Sequence, residues 1–119
     1  MPLTDPLVLC LCAKWCRSCG EYASRFEQVS HLFDGVAFLW IDIEDEADLV
    51  DPVEVDNFPT ILIAHGTQAV FFGTVLPHVQ TLERLVQSFL DDTDAKPLAD
   101  AQLLSLVARV RQSKPVPTA

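Results

Sequence analysis

At 119 residues the chain has the length of one domain, and a chain of that length buries roughly two thirds of the surface its unfolded form exposes, enough for a single core. Half of its residues are hydrophobic, which excludes the polar, charge-rich class of disordered chains. Seventeen acidic residues against eight basic ones leave a formal charge of -9, which argues against nucleic acid or an anionic membrane as partner and suits solubility.

Residues 1–6 contain no Lys or Arg ahead of the first apolar run, so the n-region of a secretory signal is missing. The apolar runs are all far shorter than the roughly 20 residues a membrane-spanning helix needs. The expectation is a cytoplasmic protein with no membrane contact.

Residues 7–13, Leu-Val-Leu-Cys-Leu-Cys-Ala, form a continuous apolar run between Pro6 and Lys14 and read as a strand buried on both faces. Residues 16–33 follow with Tyr22, Phe26, Val29, Leu32 and Phe33 at helical spacing and stop at Asp34-Gly35, an amphipathic helix with a glycine terminator. Residues 36–43 read as a second buried strand, and one helix between two strands makes a parallel βαβ unit. A short helix over residues 44–50 ends at Pro52.

Residues 60–64 and 69–72 are strand-like runs joined by His65-Gly66-Thr67-Gln68, which suits an antiparallel hairpin. Pro77 opens a helix to about Leu90 with Leu82, Leu85, Val86 and Phe89 on one face. A polar linker precedes a last amphipathic helix over residues 98–111 carrying Leu103, Leu104, Leu106, Val107 and Val110. The resulting division is a domain over residues 1–91, a linker over 92–97, an additional C-terminal helix over 98–113 packed on that domain, and a tail over 114–119.

All four cysteines, Cys10, Cys12, Cys16 and Cys19, fall in the first 20 residues. A structural disulfide framework would spread them along the chain, so the clustering points to redox or metal chemistry. Cys16 stands where strand gives way to helix, facing the unpaired N–H groups of the helix start, a position that favours a thiolate and to which Arg17 adds positive charge. Cys19 lies one turn later on the same side, where it can attack a mixed disulfide formed at Cys16.

Ala13-Lys14-Trp15-Cys16-Arg17-Ser18-Cys19 after a buried strand resembles the active site of the thioredoxin superfamily. Phe58-Pro59-Thr60, about 40 residues on and directly before a strand, is similar to the family's cis-proline loop. Asp42-Ile43-Glu44 resembles its acidic strand end, and the likeness runs from about Leu7 to Leu90. The resemblance implies a thioredoxin-like α/β fold, with a central mixed four-stranded sheet flanked by helices. It implies a thiol–disulfide oxidoreductase acting on protein disulfides through Cys16 and Cys19, with Trp15, Arg17, Ser18, Phe58, Pro59 and Thr60 forming the substrate-binding surface. Its partners would be protein thiols or disulfides and a reductase or small thiol as electron donor; no organic cofactor and no metal are implied.

The chain also departs from the family. The first strand and helix of ordinary thioredoxins have no counterpart ahead of Leu7, and the C-terminal helix is extra, expected to cover sheet surface the missing helix would have covered. The family's buried aspartate, six residues before the first redox cysteine, is here Cys10, so that base is absent. Cys10 and Cys12 share a strand face, by resemblance the face under the helix of Cys16 and Cys19. The plainer reading makes both inert core thiols; the sharper one has Cys10 exchange with Cys19 as an additional redox thiol. Trp40 reads as core packing, and His31, His65 and His78 as ordinary surface or loop residues. Two rival functions remain: a thioredoxin-like interaction module without turnover, and a metal site on Cys10, Cys12, Cys16 and Cys19, for which a second, distant cysteine pair is lacking.

Overall fold

The computed structural model describes residues 6–13, 15–51, 53, 55, 57–91 and 96–113. Its elements run β1 (Pro6–Cys12), α1 (Arg17–Ser30), β2 (Ala37–Asp42), α2 (Ala47–Val50), β3 (Thr60–His65), β4 (Gln68–Thr74), α3 (Val79–Asp91) and α4 (Ala101–Ser113). The four strands form one mixed sheet in the order β2-β1-β3-β4. β1 is central, parallel to β2 and antiparallel to β3, which pairs antiparallel with β4. Residues 92–95 of the expected linker and the whole of the expected 114–119 tail lie outside the described residues.

Because side chains alternate along a strand, β1 feeds two separate cores. Leu7, Leu9 and Leu11 point to one face and join Ile41, Leu62, Ala64, Ala69 and four residues of α4, namely Leu103, Leu106, Val107 and Val110. Val8, Cys10 and Cys12 point to the other and join Cys19, Tyr22, Phe26 and Val29 of α1, with Leu82 and Val86 of α3. The layers are therefore α4 with α2, then the sheet, then α1 with α3. α1 forms because Tyr22, Phe26 and Val29 recur at helical spacing and are all buried, each fully buried side chain of this kind stabilising the fold by about 1.5–3 kcal/mol.

Three expectations need correction. β2 is an edge strand, so its residues from Ala37 to Trp40 are only half-buried rather than enclosed on both faces. α3 begins at Val79, two residues after Pro77. α4 begins at Ala101 and not at Leu98, because the Asp100 carboxylate accepts hydrogen bonds from the N–H groups of Gln102 (2.9 Å) and Leu103 (3.4 Å) and so caps the helix there. The residues before that cap are held along the sheet edge, where Leu98 N–H donates to the Ala69 carbonyl at 2.8 Å. Arg109 ties α4 to the α2 turn by donating to the carbonyls of Leu49 (2.9 Å) and Asp51 (2.8 Å).

His65, at the end of β3, differs from an ordinary loop histidine in that both ring nitrogens are buried. Burial pushes its pKa below the usual value, the Phe89 backbone pulling the other way. With the folded pKa depressed, the unfolded chain takes up the proton first; stability is therefore full above about pH 6.5 and is lost as the pH falls below it. Melting temperatures recorded between about pH 7.5 and 5.5 are expected to decline for the wild type and to decline less for His65→Gln.

Candidate functional site

The site lies where the parallel strands β1 and β2 end and α1 begins. Cys12 closes β1, its carbonyl accepting from Ile43 N–H at 2.8 Å, and its ladder partner in β2 is Asp42. Asp42 terminates β2 by accepting from the N–H groups of Glu44 (2.9 Å) and Asp45 (3.1 Å). Cys16 is the residue that caps α1, with its own N–H donating to the Ala13 carbonyl at 3.0 Å and its carbonyl accepting from Cys19 (3.1 Å) and Gly20 (3.2 Å). The first turn carries no acidic residue to oppose negative charge on the Cys16 sulfur, and Arg17 lies exposed beside it.

Cys16 is half-buried and free, whereas Cys19, one turn on, is 2 % exposed. Cys19 is bonded to Cys12, with the two Cα atoms 5.8 Å apart, and Cys12 is 1 % exposed. This corrects two expectations: the disulfide present is neither Cys16–Cys19 nor Cys10–Cys19. The cause is the strand geometry, which aims Cys12 up into α1 directly beneath the inward face that holds Cys19, at a separation within ordinary bridging range. Cys10 remains a free, buried thiol with its sulfur 3.8 Å from that of Cys12. Cys12 is thus the disulfide partner of Cys19 that the pattern of the sequence did not single out. The available signal was its alternation with Cys10 on one strand face, seven residues ahead of Cys19.

The second loop of the site is held close by aromatic contact. Trp15 is 67 % exposed, stands edge-on to Phe58 with ring centroids 5.6 Å apart, and donates its indole N–H to the Glu44 carboxylate. The Phe58–Pro59 peptide bond is cis. Pro59 is buried, and its carbonyl accepts from Val75 N–H at 3.1 Å, docking the loop on the segment after β4. The Thr60 side chain is turned inward at 3 % exposure, its hydroxyl donating to the Asn57 carbonyl at 2.6 Å. It therefore clasps the loop instead of facing outward with Trp15 and Phe58. The Ser18 side chain lies outside the described residues. Trp40 packs among aromatics, 5.7 Å from Phe26 and 6.4 Å from Tyr22 by ring centroid.

Among the described residues no group of three or more His, Cys, Asp or Glu is arranged to hold a metal ion, and no helix is long and apolar enough to cross a membrane. The fold and site define a small α/β protein with a cysteine cluster at the mouth of its first helix. The chain belongs to the thioredoxin family, whose model matches residues 3–88. It is similar to Thioredoxin H2-1 of Oryza sativa subsp. japonica, 30 % identical over 67 residues, covering 56 % of this chain and 49 % of that protein. Thioredoxin-2 of Saccharomyces cerevisiae is 28 % identical over 58 residues, covering 49 % of this chain and 56 % of the other. The chain thus spans about half the length of these two relatives. Among solved structures, chloroplastic thioredoxin z matches with a TM-score of 0.58 and 27 % identity over 71 % of this chain and 77 % of that one. Mitochondrial thioredoxin 3 of Saccharomyces cerevisiae matches in fold, with a TM-score of 0.63 and 21 % identity over 73 % of this chain and 81 % of that one.

Proposed function

We propose that this chain is a thiol–disulfide oxidoreductase acting on protein disulfides. The observation that carries the reading is the division of labour between two cysteines one turn apart: Cys16 reaches solvent at the start of α1, while Cys19 is buried and already engaged in a disulfide. The Cys16 thiolate attacks a substrate disulfide, one substrate sulfur leaves and takes up a proton, and a mixed disulfide remains. In the reduced protein, where the Cys12–Cys19 bond has been opened to two thiols, the Cys19 sulfur then attacks Cys16, gives up its proton, and releases the second substrate sulfur as a thiol.

Trp15 and Phe58 offer an apolar surface next to Cys16 against which an extended polypeptide would lie, with the buried Pro59 holding the loop in place and Arg17 at the rim. Electrons return from a reductase or a small thiol, and the chemistry needs no organic cofactor. Four cysteines gathered at one site fit a reducing compartment such as the cytoplasm.

The test is the dithiothreitol-driven reduction of insulin, followed by turbidity. The wild type is expected to accelerate the reaction, and the double variant Cys16→Ala, Cys19→Ala to return it to the rate of dithiothreitol alone. Acceleration missing from the wild type would replace this reading with that of an interaction module, and acceleration that survives in the double variant would take the turnover away from Cys16 and Cys19.

A further inference from the structure

We infer that Cys12 is a third redox residue, that Cys19 changes partner between Cys16 and Cys12, and that the inner Cys12–Cys19 disulfide is a second oxidised state in which Cys16 is a free surface thiol able to hold a partner covalently. The inner bond, the free half-buried Cys16 and the burial of both bonded sulfurs are features of one structure. At 1 % and 2 % exposure, Cys12 and Cys19 are shut off from a protein thiol arriving from outside. Exchange with a protein partner therefore passes through a cysteine of the chain itself. Cys16 packs against the same cluster of side chains that encloses the bond and also reaches solvent, which makes it the point of exchange.

Cys10 has a different part. A disulfide sulfur carries no proton, so in the contact between Cys10 and Cys12 the Cys10 S–H is the donor, at 3.8 Å. Burial pushes the Cys10 pKa up and keeps the proton on that sulfur. A thiol that keeps its proton is a poor nucleophile, and its S–H remains a hydrogen-bond donor to the Cys12 sulfur when the inner bond opens.

The exchange balances without any outside oxidant. From the Cys16–Cys19 disulfide, the Cys12 thiol gives up its proton and its sulfur attacks the Cys19 sulfur. The Cys12–Cys19 bond forms, the Cys16–Cys19 bond breaks, and Cys16 leaves as a thiolate that takes up one proton. One disulfide and one thiol stand on each side, and the substrate disulfide supplied the oxidation when the outer pair formed. This entry route rests on the activity proposed above; the inner bond does not. With Cys19 engaged below, a sulfur captured by Cys16 has no neighbour to release it, so the oxidised protein retains what the reduced protein would turn over.

Disulfide mapping on the wild-type protein tests this directly. After oxidation by one equivalent of diamide, blocking with N-ethylmaleimide and trypsin digestion, cleavage following Lys14, Arg17 and Arg25 leaves Cys12, Cys16 and Cys19 on three different peptides. The expected product links Cys12 to Cys19 with Cys16 blocked, Cys10 being told from Cys12 by fragment ions. Before blocking, the oxidised protein is also incubated with oxidised glutathione. The wild type should keep one glutathione on Cys16, whereas Cys12→Ala should carry none, because Cys16 and Cys19 are paired with each other. A wild type that reduces insulin yet yields only linked Cys16 and Cys19, or that carries as little glutathione as Cys12→Ala, overturns the inference and leaves the proposed activity standing. The inner bond mapped in a protein without insulin turnover does the reverse.

Discussion

Replacing Cys16 by serine is expected to reduce insulin turnover to the background of dithiothreitol alone, a loss on the order of a thousandfold or more, whereas Cys19→Ser is expected to accumulate mixed disulfides with its substrates. The asymmetry follows from where the two sulfurs stand. Cys16 alone combines access to solvent with the start of α1 and the adjacent Trp15–Phe58 surface, so its loss removes the group that makes first contact. A serine hydroxyl holds its proton at neutral pH and forms no bond to sulfur. Cys19 is buried and never meets a substrate first, so Cys19→Ser leaves the attack intact and removes the release. Non-reducing electrophoresis of the wild type and the two variants after incubation with a disulfide-bonded protein gives the readout. Adducts in Cys19→Ser that collapse with reductant, and their absence in Cys16→Ser, are the expected pattern. Equal adducts in both variants would mean that another thiol makes the first contact.

A chain cut before residue 96 is expected not to fold cooperatively. α4 contributes Leu103, Leu106, Val107 and Val110, each 4 % exposed or less, to the core built on Leu7, Leu9 and Leu11 of the central strand. Burial of each is worth about 1.5–3 kcal/mol, and together they rival the roughly 5–15 kcal/mol that stabilises an ordinary domain. Removing them also uncovers Leu62, Ala64 and Ala69 on that sheet face. The milder Leu106→Ala isolates the same contact; it should cost about 2–5 kcal/mol and lower the melting temperature by roughly 10–20 °C, with secondary structure retained. Calorimetry and circular dichroism on both proteins check this, and a truncated chain melting cooperatively at the wild-type temperature would show that α4 is an appendage.

Much of this architecture can be read from local patterns. The uninterrupted run Leu7-Val8-Leu9-Cys10-Leu11-Cys12 requires a strand covered on both sides, and such a strand requires helices on both faces of its sheet. Tyr22, Phe26 and Val29 give α1 its buried stripe, and the cysteine pair at its start marks the site because a helix start favours a thiolate. Errors gathered where chain segments distant in sequence compete. Nothing local tells residues 36–43 that they will lie at the edge of the sheet, since that depends on which strand β3 chooses to flank. The start of α4 is a different case, a local signal that hydrophobic periodicity passes over: the Asp100 carboxylate satisfies two N–H groups and so sets the helix start beyond Leu98.

Composition and periodicity by themselves determined the strand and helix order and the gathering of four cysteines around the end of β1 and the start of α1, because these depend on spacing along the chain; that the core divides into two across the sheet came from the tertiary structure. Which sulfur Cys19 bonds, and where Thr60 turns its hydroxyl, were decided only by the tertiary structure. The pairing depends on the distance between a strand face and the helix packed across it, and sequence separation does not encode that distance: three residues divide Cys16 from Cys19 along the chain, but it is Cys12, directly beneath the helix, that is bonded to Cys19.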